Sequence, residues 1–405
     1  MIKTPYYLID ENLLIKNLEI LGEVKRRTGC KILLAQKAFA CPYFYPLISK
    51  YLDGTTASGL FESRLGRETF GREVHVFSPA YGEDEFTEIL GYVDHIVFNS
   101  LSQLEKYGKT AKLRGMDIGL RINPECSTQS GGLYDPCAVG SRMGVLAHDL
   151  KNSEPFYVDG LHFHTLCEQN SDALETTLKA VEDKFSDFFS GLKWVNFGGG
   201  HHITRDDYDI ERLVRLINDF KEKYKVEVYL EPGEAVVLNA GFLVAKVLDI
   251  VENGIKIAIL DASAACHMPD VLEVPYTPKV VSAIDAGGFS CRLSSNTCLA
   301  GDIIGDYRFE EPLKTGDEII FTDMALYTFV KNNTFNGIPL PSLVAKKIDG
   351  SVEVIKEFSY SDFAGRLGAV ESCGQVQGKL RMESCCGQGQ LKKQFKEKYK
   401  NEKLK

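Results

Sequence analysis

Between residues 32 and 231 the chain alternates between short apolar runs and helical patterns, passing through eight such runs. They are Ile32–Ala35, Thr55–Ser58, Val74–Ser78, His95–Asn99, Ile118–Asn123, Gly160–His164, Trp194–Phe197 and Val226–Glu231. Helical spacing separates most of them, for example Phe61–Phe70, Glu83–Leu90, Leu101–Tyr107, Ser171–Phe189 and Asp206–Tyr224. A helical stretch over residues 11–28, stopping at Gly29, precedes the series. Strands that are apolar almost throughout are buried on both faces, as in a parallel sheet covered by helices. Eight such repeats over about 200 residues fit the lower size limit of a (β/α)8 barrel. A doubly wound sheet is the alternative, but it would place Gly-x-Gly-x-x-Gly after its first strand, and no such turn follows Ala35.

After about Gly241 the pattern changes. Short β-branched and aromatic runs, broken by Gly, Pro, Asn and Asp, replace the helices: Leu243–Val251, Lys256–Asp261, Lys279–Ile284, Ile319–Phe321, Ser342–Lys347 and Val352–Phe358. The expected division is a barrel over residues 11–241 and a β-domain over 242–367, with residues 1–10 contributing a strand to the latter. Residues 368–405 have few apolar anchors and end in a Lys/Glu run, which reads as a poorly ordered tail.

The formal net charge of −9 offers no basic face, so nucleic acid is not an expected partner. No apolar run approaches the ~20 residues that span a bilayer, and Met1–Tyr6 carries no signal-peptide apolar segment. The chain has 11 cysteines, an odd number, without a C-x-x-C pair, which fits free thiols in a reducing cytoplasm. Cys266 and His267 are adjacent, not spaced as metal ligands, and no metal is expected.

Barrel enzymes carry their reactive groups at the C-terminal ends of the strands. Here the first run leads into Lys37, a lysine placed just where a buried strand ends. Ammonium is costly to bury, so the position suits an amine that loses its proton and attacks an aldehyde, although a lysine ending a strand can also snorkel into solvent. The sixth run ends at His164, the seventh enters Gly198-Gly199-Gly200, and the eighth ends at Glu231. A glycine triplet makes a tight turn and also exposes N–H groups to a phosphate. Together these groups supply what pyridoxal phosphate needs: an imine-forming lysine, a phosphate cradle, a flat ring partner and an acid for the pyridine nitrogen.

With those motifs in place, the chain resembles the barrel-plus-β-domain class of pyridoxal phosphate enzymes, fold type III. That class includes alanine racemase and the ornithine, arginine and diaminopimelate decarboxylases. Glu231-Pro232-Gly233-Glu234 is similar to the decarboxylases' Glu-Pro-Gly-Arg motif. Asn296-Thr297-Cys298 is similar to their cysteine motif, and Ala325-Leu326-Tyr327-Thr328 to their tyrosine motif. The resemblance implies that Glu231 partners the pyridinium, that Tyr327 reaches the phosphate, and that Cys298 serves Lys37 of a second copy in a homodimer with shared active sites.

The departures from the motif are informative. Glu234 replaces an arginine, and Asp270 lies in His267-Met268-Pro269-Asp270 where diaminopimelate decarboxylases carry an arginine that grips a carboxylate. Two such exchanges turn the distal pocket towards cations. These segments resemble the carboxynorspermidine and carboxyspermidine decarboxylases, which implies decarboxylation of a carboxylated polyamine, with Glu234 and Asp270 on the substrate. Asp302 and Arg142 are weaker substrate candidates, and Lys37 or Cys298 would return the proton to Cα. Diaminopimelate or ornithine decarboxylation is the alternative; a regulatory homologue without the cofactor is disfavoured because Lys37 and Cys298 are both present.

Overall fold

The protein is described from a computed structural model over residues 2–128 and 135–369. The expected tail lies outside the described residues from position 370 onward. Residues 1–359 form one compact unit; the remaining described residues carry a short helix, Tyr360–Arg366.

Strand β1 (Tyr6–Asp10) leads directly into the helix Glu11–Thr28. Asp10 caps that helix, accepting from the N–H groups of Asn12 at 2.9 Å and Leu13 at 3.3 Å. Gly29 ends it in the left-handed region at φ 62°, its N–H donating to the Lys25 carbonyl at 2.8 Å. Then come β2 (Lys31–Ala35), β3 (Gly54–Ala57), β4 (Glu73–Phe77), β5 (His95–Phe98), β6 (Asp117–Asn123), β7 (Val145–Leu146), β8 (Gly160–His162), β9 (Trp194–Asn196) and β10 (Glu227–Leu230). All pair in parallel; β7 sits beside β6, off the ring, and the other eight close on themselves through β5–β6 and β10–β2. The result is a closed eight-stranded parallel barrel, and each of its strands overlaps one of the eight apolar runs. The helix expected over Leu101–Tyr107 continues to Leu113, and the one expected from Asp206 starts at Ile210, because Asp209 caps it through the Arg212 N–H at 2.9 Å.

The chain's one tryptophan, Trp194, helps fill the barrel interior with Leu33, Val97 and Tyr229. Its indole needs bare backbone on two neighbouring strands. A Cβ on Gly160 would lie 2.1 Å from the indole, and one on Gly119 2.4 Å. Around the same end of the barrel, Lys31 Nζ holds Glu73 Oε1 at 2.5 Å, and the His75 and His95 rings stack 3.9 Å apart. Glu73, His75 and His95 have metal-ligand spacing, but the Lys31 ammonium already occupies a cation's place on the carboxylate.

Past the barrel come β11 (Gly241–Glu252), β12 (Lys256–Leu260), β13 (Phe289–Ser295), β14 (Ile303–Phe309), β15 (Glu318–Thr322), β16 (Ser342–Lys346) and β17 (Val352–Lys356). They form a separate sheet in the order β14-β13-β12-β11-β1-β16-β17, with β15 also pairing β11. Its core gathers Tyr7, Leu243, Val247, Leu260, Leu293 and Phe321. Two expectations need correction. Lys279–Ile284 is not a strand: it makes isolated bridges through Val280 and Ala283 and turns away. In contrast, β13 and β14 are strands that the apolar pattern does not announce, since polar residues alternate through Phe289–Ser295 and Gly305-Asp306 interrupts the second. Among the described residues, no helix is long and apolar enough to cross a membrane.

Candidate active site

The strand ends at the barrel mouth are sewn together beyond the regular ladder. The Ala35 N–H donates to the Pro232 carbonyl at 3.0 Å, Glu231 N–H to Gly198 at 2.8 Å, and Phe163 N–H to Asn196 at 3.0 Å. After β2 the chain turns sharply, with Ala38 N–H returning to the Ala35 carbonyl at 3.1 Å, and Lys37 stands at the tip of that turn. Gly233 packs onto the turn so closely that a Cβ there would lie 2.5 Å from Ala38 Cβ. Lys37 is exposed to the mouth. The protein around its ammonium still lowers its pKa by desolvation; Arg121 lowers it further, and Glu231 and Glu234 oppose.

Glu231 is buried. Its Oε1 accepts from Asn196 Nδ2 at 2.8 Å, and its Oε2 lies 3.6 Å from His162 Nε2. Burial by itself would raise the carboxyl's pKa; His162 and Asn196 outweigh it and hold the pKa down at about 2, so Glu231 is an anion in a dry setting. Arg121 adds a fixed positive charge. It donates to the His164 carbonyl at 3.1 Å and lies 4.5 Å from the centre of the Phe77 ring. His164 is oriented by Gly199, whose N–H donates to Nδ1 at 3.1 Å. Desolvation, then Lys37 and Arg121, keep the His164 pKa well below its ordinary value, so the ring is neutral with its proton on Nε2.

The glycine triplet permits close approach. A Cβ on Gly199 would meet the Glu231 carbonyl at 2.5 Å and His164 Cε1 at 3.1 Å, and one on Gly200 the Leu166 carbonyl at 2.0 Å. Gly198 and Gly200 have φ of 72° and 80°, which favours glycine. The Gly198 N–H is bound to Asn196 Oδ1 at 2.8 Å, so it and Gly199 serve the protein's own groups, and the Gly200 N–H is bound to neither of those partners. Tyr327 reaches this side from the loop after β15: its N–H donates to the Ala38 carbonyl at 3.0 Å, and burial raises its phenol's pKa.

The remaining expected residues separate into different settings. Glu234 is buried, with His202 Nε2 3.5 Å from its Oε2. Asp270 is ion-paired with Lys331, which also binds Glu273 Oε2 at 2.5 Å. Asp302 is engaged by the fold itself. It is 1% exposed and accepts from Ser263 Oγ at 2.6 Å, Ser295 Oγ and Thr297 Oγ1 at 2.5 Å, and the N–H groups of Ala264 and Ala265, so every lone pair is spent on folding. Cys298 is exposed in the bend that follows β13, its N–H donating to Asn336 Oδ1 at 2.7 Å. Arg142 is exposed; burial first, and Arg142 only after it, lower the pKa of Arg121. Sequence reading missed Arg121, His162, Asn196 and His202. The first three carry a signal in retrospect: they lie two residues from inward positions in strands, so period-two alternation turns them to the same face.

The site fits pyridoxal phosphate: a lysine of lowered pKa, a buried anion, a neutral flat ring and a cradle that any Cβ would fill converge at one mouth. The comparisons agree. A family model described as pyridoxal-dependent decarboxylase, C-terminal sheet domain, matches residues 7–325. A carboxynorspermidine/carboxyspermidine decarboxylase of Campylobacter jejuni is 46% identical over 90% of this chain and 98% of its own length. A carboxyaminopropylagmatine decarboxylase of Synechocystis is 40% identical over 90% and 95%. The crystal structure of carboxynorspermidine decarboxylase from Campylobacter jejuni complexed with norspermidine superposes with a TM-score of 0.84 at 45% identity, covering 90% of this chain and all of that one. Diaminopimelate decarboxylase of Helicobacter pylori shares the fold at a TM-score of 0.77, with 18% identity over 91% and 97% of the two chains.

Proposed function

The chain belongs to the pyridoxal-dependent decarboxylase family, and on that premise we propose that it releases carbon dioxide from carboxynorspermidine or carboxyspermidine, yielding norspermidine or spermidine. The observation that carries the reading is the buried Glu231 anion, held by Asn196 at 2.8 Å at the mouth where Lys37 stands. Bound pyridoxal phosphate supplies the electron sink that accepts the pair left when a carboxylate departs. Glu231 would keep the pyridine nitrogen protonated, since a proton between them is stabilised by the anion. Lys37, with its lowered pKa, keeps a larger fraction of free amine than an ordinary lysine and would be the residue that holds the cofactor by its aldehyde. The neutral His164 ring would lie flat against the pyridine, and Gly198–Gly200 with Tyr327 would take the phosphate end. After carbon dioxide leaves, Cα needs one proton, which Lys37 or a second copy's Cys298 would deliver.

The substrate's amine tail is cationic, and Glu234 stands where family relatives place an arginine. That exchange supports a polyamine over diaminopimelate, whose distal end is a carboxylate. The guanidinium of carboxyaminopropylagmatine is also a cation and is the second reading, favoured by the 40% identity to the cyanobacterial enzyme. We also infer a cytoplasmic homodimer with shared sites, because Cys298 is exposed on its own chain. The deciding experiment measures carbon dioxide release by the holoenzyme from carboxynorspermidine, carboxyspermidine, carboxyaminopropylagmatine and diaminopimelate. Fastest turnover of either of the first two is expected; preference for diaminopimelate would overturn the polyamine reading.

A further inference from the structure

A second group of ligand-capable side chains lies at the opposite end of the barrel from Lys37, and no step of the decarboxylation above uses it. Glu73 opens β4, His75 follows two residues on, and His95 opens β5 directly opposite His75 in the ladder. Residues two apart in a strand share a face, so Glu73 and His75 point together. Their ligand atoms and that of His95 all lie within 4.8 Å of one another. The rings of Trp194 and Tyr229 wall the group, 5.3 and 5.6 Å from the His95 ring.

The two imidazoles are poorly satisfied. His75 is 1% exposed and His95 9%, and Nδ1 of each has no hydrogen-bond partner among the described residues. His75 Nε2 stands 3.4 Å from Glu73 Oε2, which is long for a hydrogen bond. That separation is instead the edge of a coordination tetrahedron: ligand bonds of about 2.0–2.2 Å place neighbouring donor atoms about 3.4 Å apart. Glu73 is oriented as metal-bound carboxylates are, its Oε2 accepting from Tyr229 Oη at 3.2 Å. The Glu73 side chain is 30% exposed, so the group opens to solvent on the carboxylate side.

Lys31 is the competitor. Its Nζ sits 2.5 Å from Glu73 Oε1 and 3.0 Å from Tyr229 Oη, and leaves Glu73 Oε2 facing the imidazole. Glu227 Oε2, 3.5 Å from the same ammonium, is a second carboxylate to which Lys31 can move. The stacked rings, 12° from parallel, aim their nitrogens side by side. His95 therefore has to turn about its Cβ–Cγ bond to converge with His75 on one ion.

We propose that Glu73, His75 and His95 form a site for a divalent transition-metal ion of the zinc class, in competition with the Lys31 ammonium. Two imidazoles and one carboxylate suit zinc, cobalt or nickel over magnesium and calcium, which take oxygen ligands. The set leaves a fourth position for water. Binding moves Lys31 from Glu73 to Glu227, because two cations on one carboxylate repel each other. The ion ties β4 to β5 and binds the folded barrel alone, so it stabilises that barrel. The inference does not depend on which substrate is decarboxylated.

The test uses chelator-treated holoenzyme, with cobalt(II) difference absorbance and zinc equilibrium dialysis as readouts. Wild type is expected to take up about one ion per chain, with the visible bands of a tetrahedral cobalt centre, and to melt higher with zinc. His75→Gln and His95→Gln are each expected to weaken binding about ten-fold or more. Lys31→Met keeps all three ligands and is expected to tighten binding about ten-fold. Melts without metal establish that each variant is folded. Binding of wild-type strength in both histidine variants would place the ion elsewhere and overturn the site. So would absence of binding in both wild type and Lys31→Met. Should the histidine variants not fold, Lys31→Met decides, and affinity no tighter than wild type would overturn the proposal.

Discussion

The N–H of Tyr327 donates to the carbonyl of Ala38 at 3.0 Å, so the loop that follows β15 is hydrogen-bonded to the residue after Lys37. The link places Tyr327 beside the turn that projects Lys37. It also ties the position of Lys37 to the packing of the β-domain and not to the barrel alone.

Replacing Lys37 with Ala is expected to abolish turnover and the visible absorbance of covalently held cofactor. Reduction with borohydride followed by mass spectrometry checks it: wild type retains a cofactor-sized adduct on the peptide carrying Lys37. A trapped adduct on Lys37→Ala would reassign the nucleophile.

Glu231→Gln keeps the shape and the partner Asn196 but removes the charge. A fall in kcat of about a hundred-fold or more is expected, from loss of electrostatic stabilisation in a dry site, with cofactor still bound. Stopped-flow or steady-state assays at saturating substrate measure it.

The same residue shapes the acid limb of stability. Its folded pKa of about 2 lies below the ordinary 4.5, so the folded state binds that proton less readily than the unfolded one. The stabilisation is therefore complete above pH 4.5 and is lost as pH falls towards 2. Denaturant titrations of wild type and Glu231→Gln are expected to converge as the pH drops through that window. Parallel curves would contradict the assignment.

Gly199→Ala places a methyl 2.5 Å from the Glu231 carbonyl. A loss of about 1–3 kcal/mol in stability is expected from overpacking, together with weaker cofactor retention, because the shift displaces His164 and Glu231. Thermal melts and cofactor content after dialysis report the two effects.

If two copies share their sites and Cys298 is the proton donor, Lys37→Ala and Cys298→Ala proteins are each expected to be inactive alone and to recover about a quarter of the wild-type activity when mixed, since half of the dimers are mixed and each carries one intact site. No recovery after subunit exchange would overturn the shared site and place Lys37 and Cys298 of one site on the same copy.

The eight barrel strands are legible because they are buried on both faces, and continuous apolar runs such as Ile32–Leu34 mark that condition unaided. Strand β13 is not, because its burial alternates through Cys291, Leu293 and Ser295, with serine and arginine between them. Within the site, Lys37, His164, Gly198–Gly200 and Glu231 are visible as strand-end residues of unusual type. Arg121 and Asn196 stay hidden because polar residues inside a strand announce nothing until the barrel closes and turns them inward.

By itself the sequence determines the closed barrel, the position of Lys37 at its mouth and the acidic exchange at Glu234, since periodicity and motif residues are local properties of the chain. Only the tertiary structure decides which carboxylates are committed. Asp302 is saturated by donors from two separate segments, Asp270 is ion-paired with a lysine 61 positions away, and Glu231 is held by Asn196 from a neighbouring strand. Charge type is written in the sequence. Charge pairing is a matter of distances between remote residues, and those exist only in the folded chain.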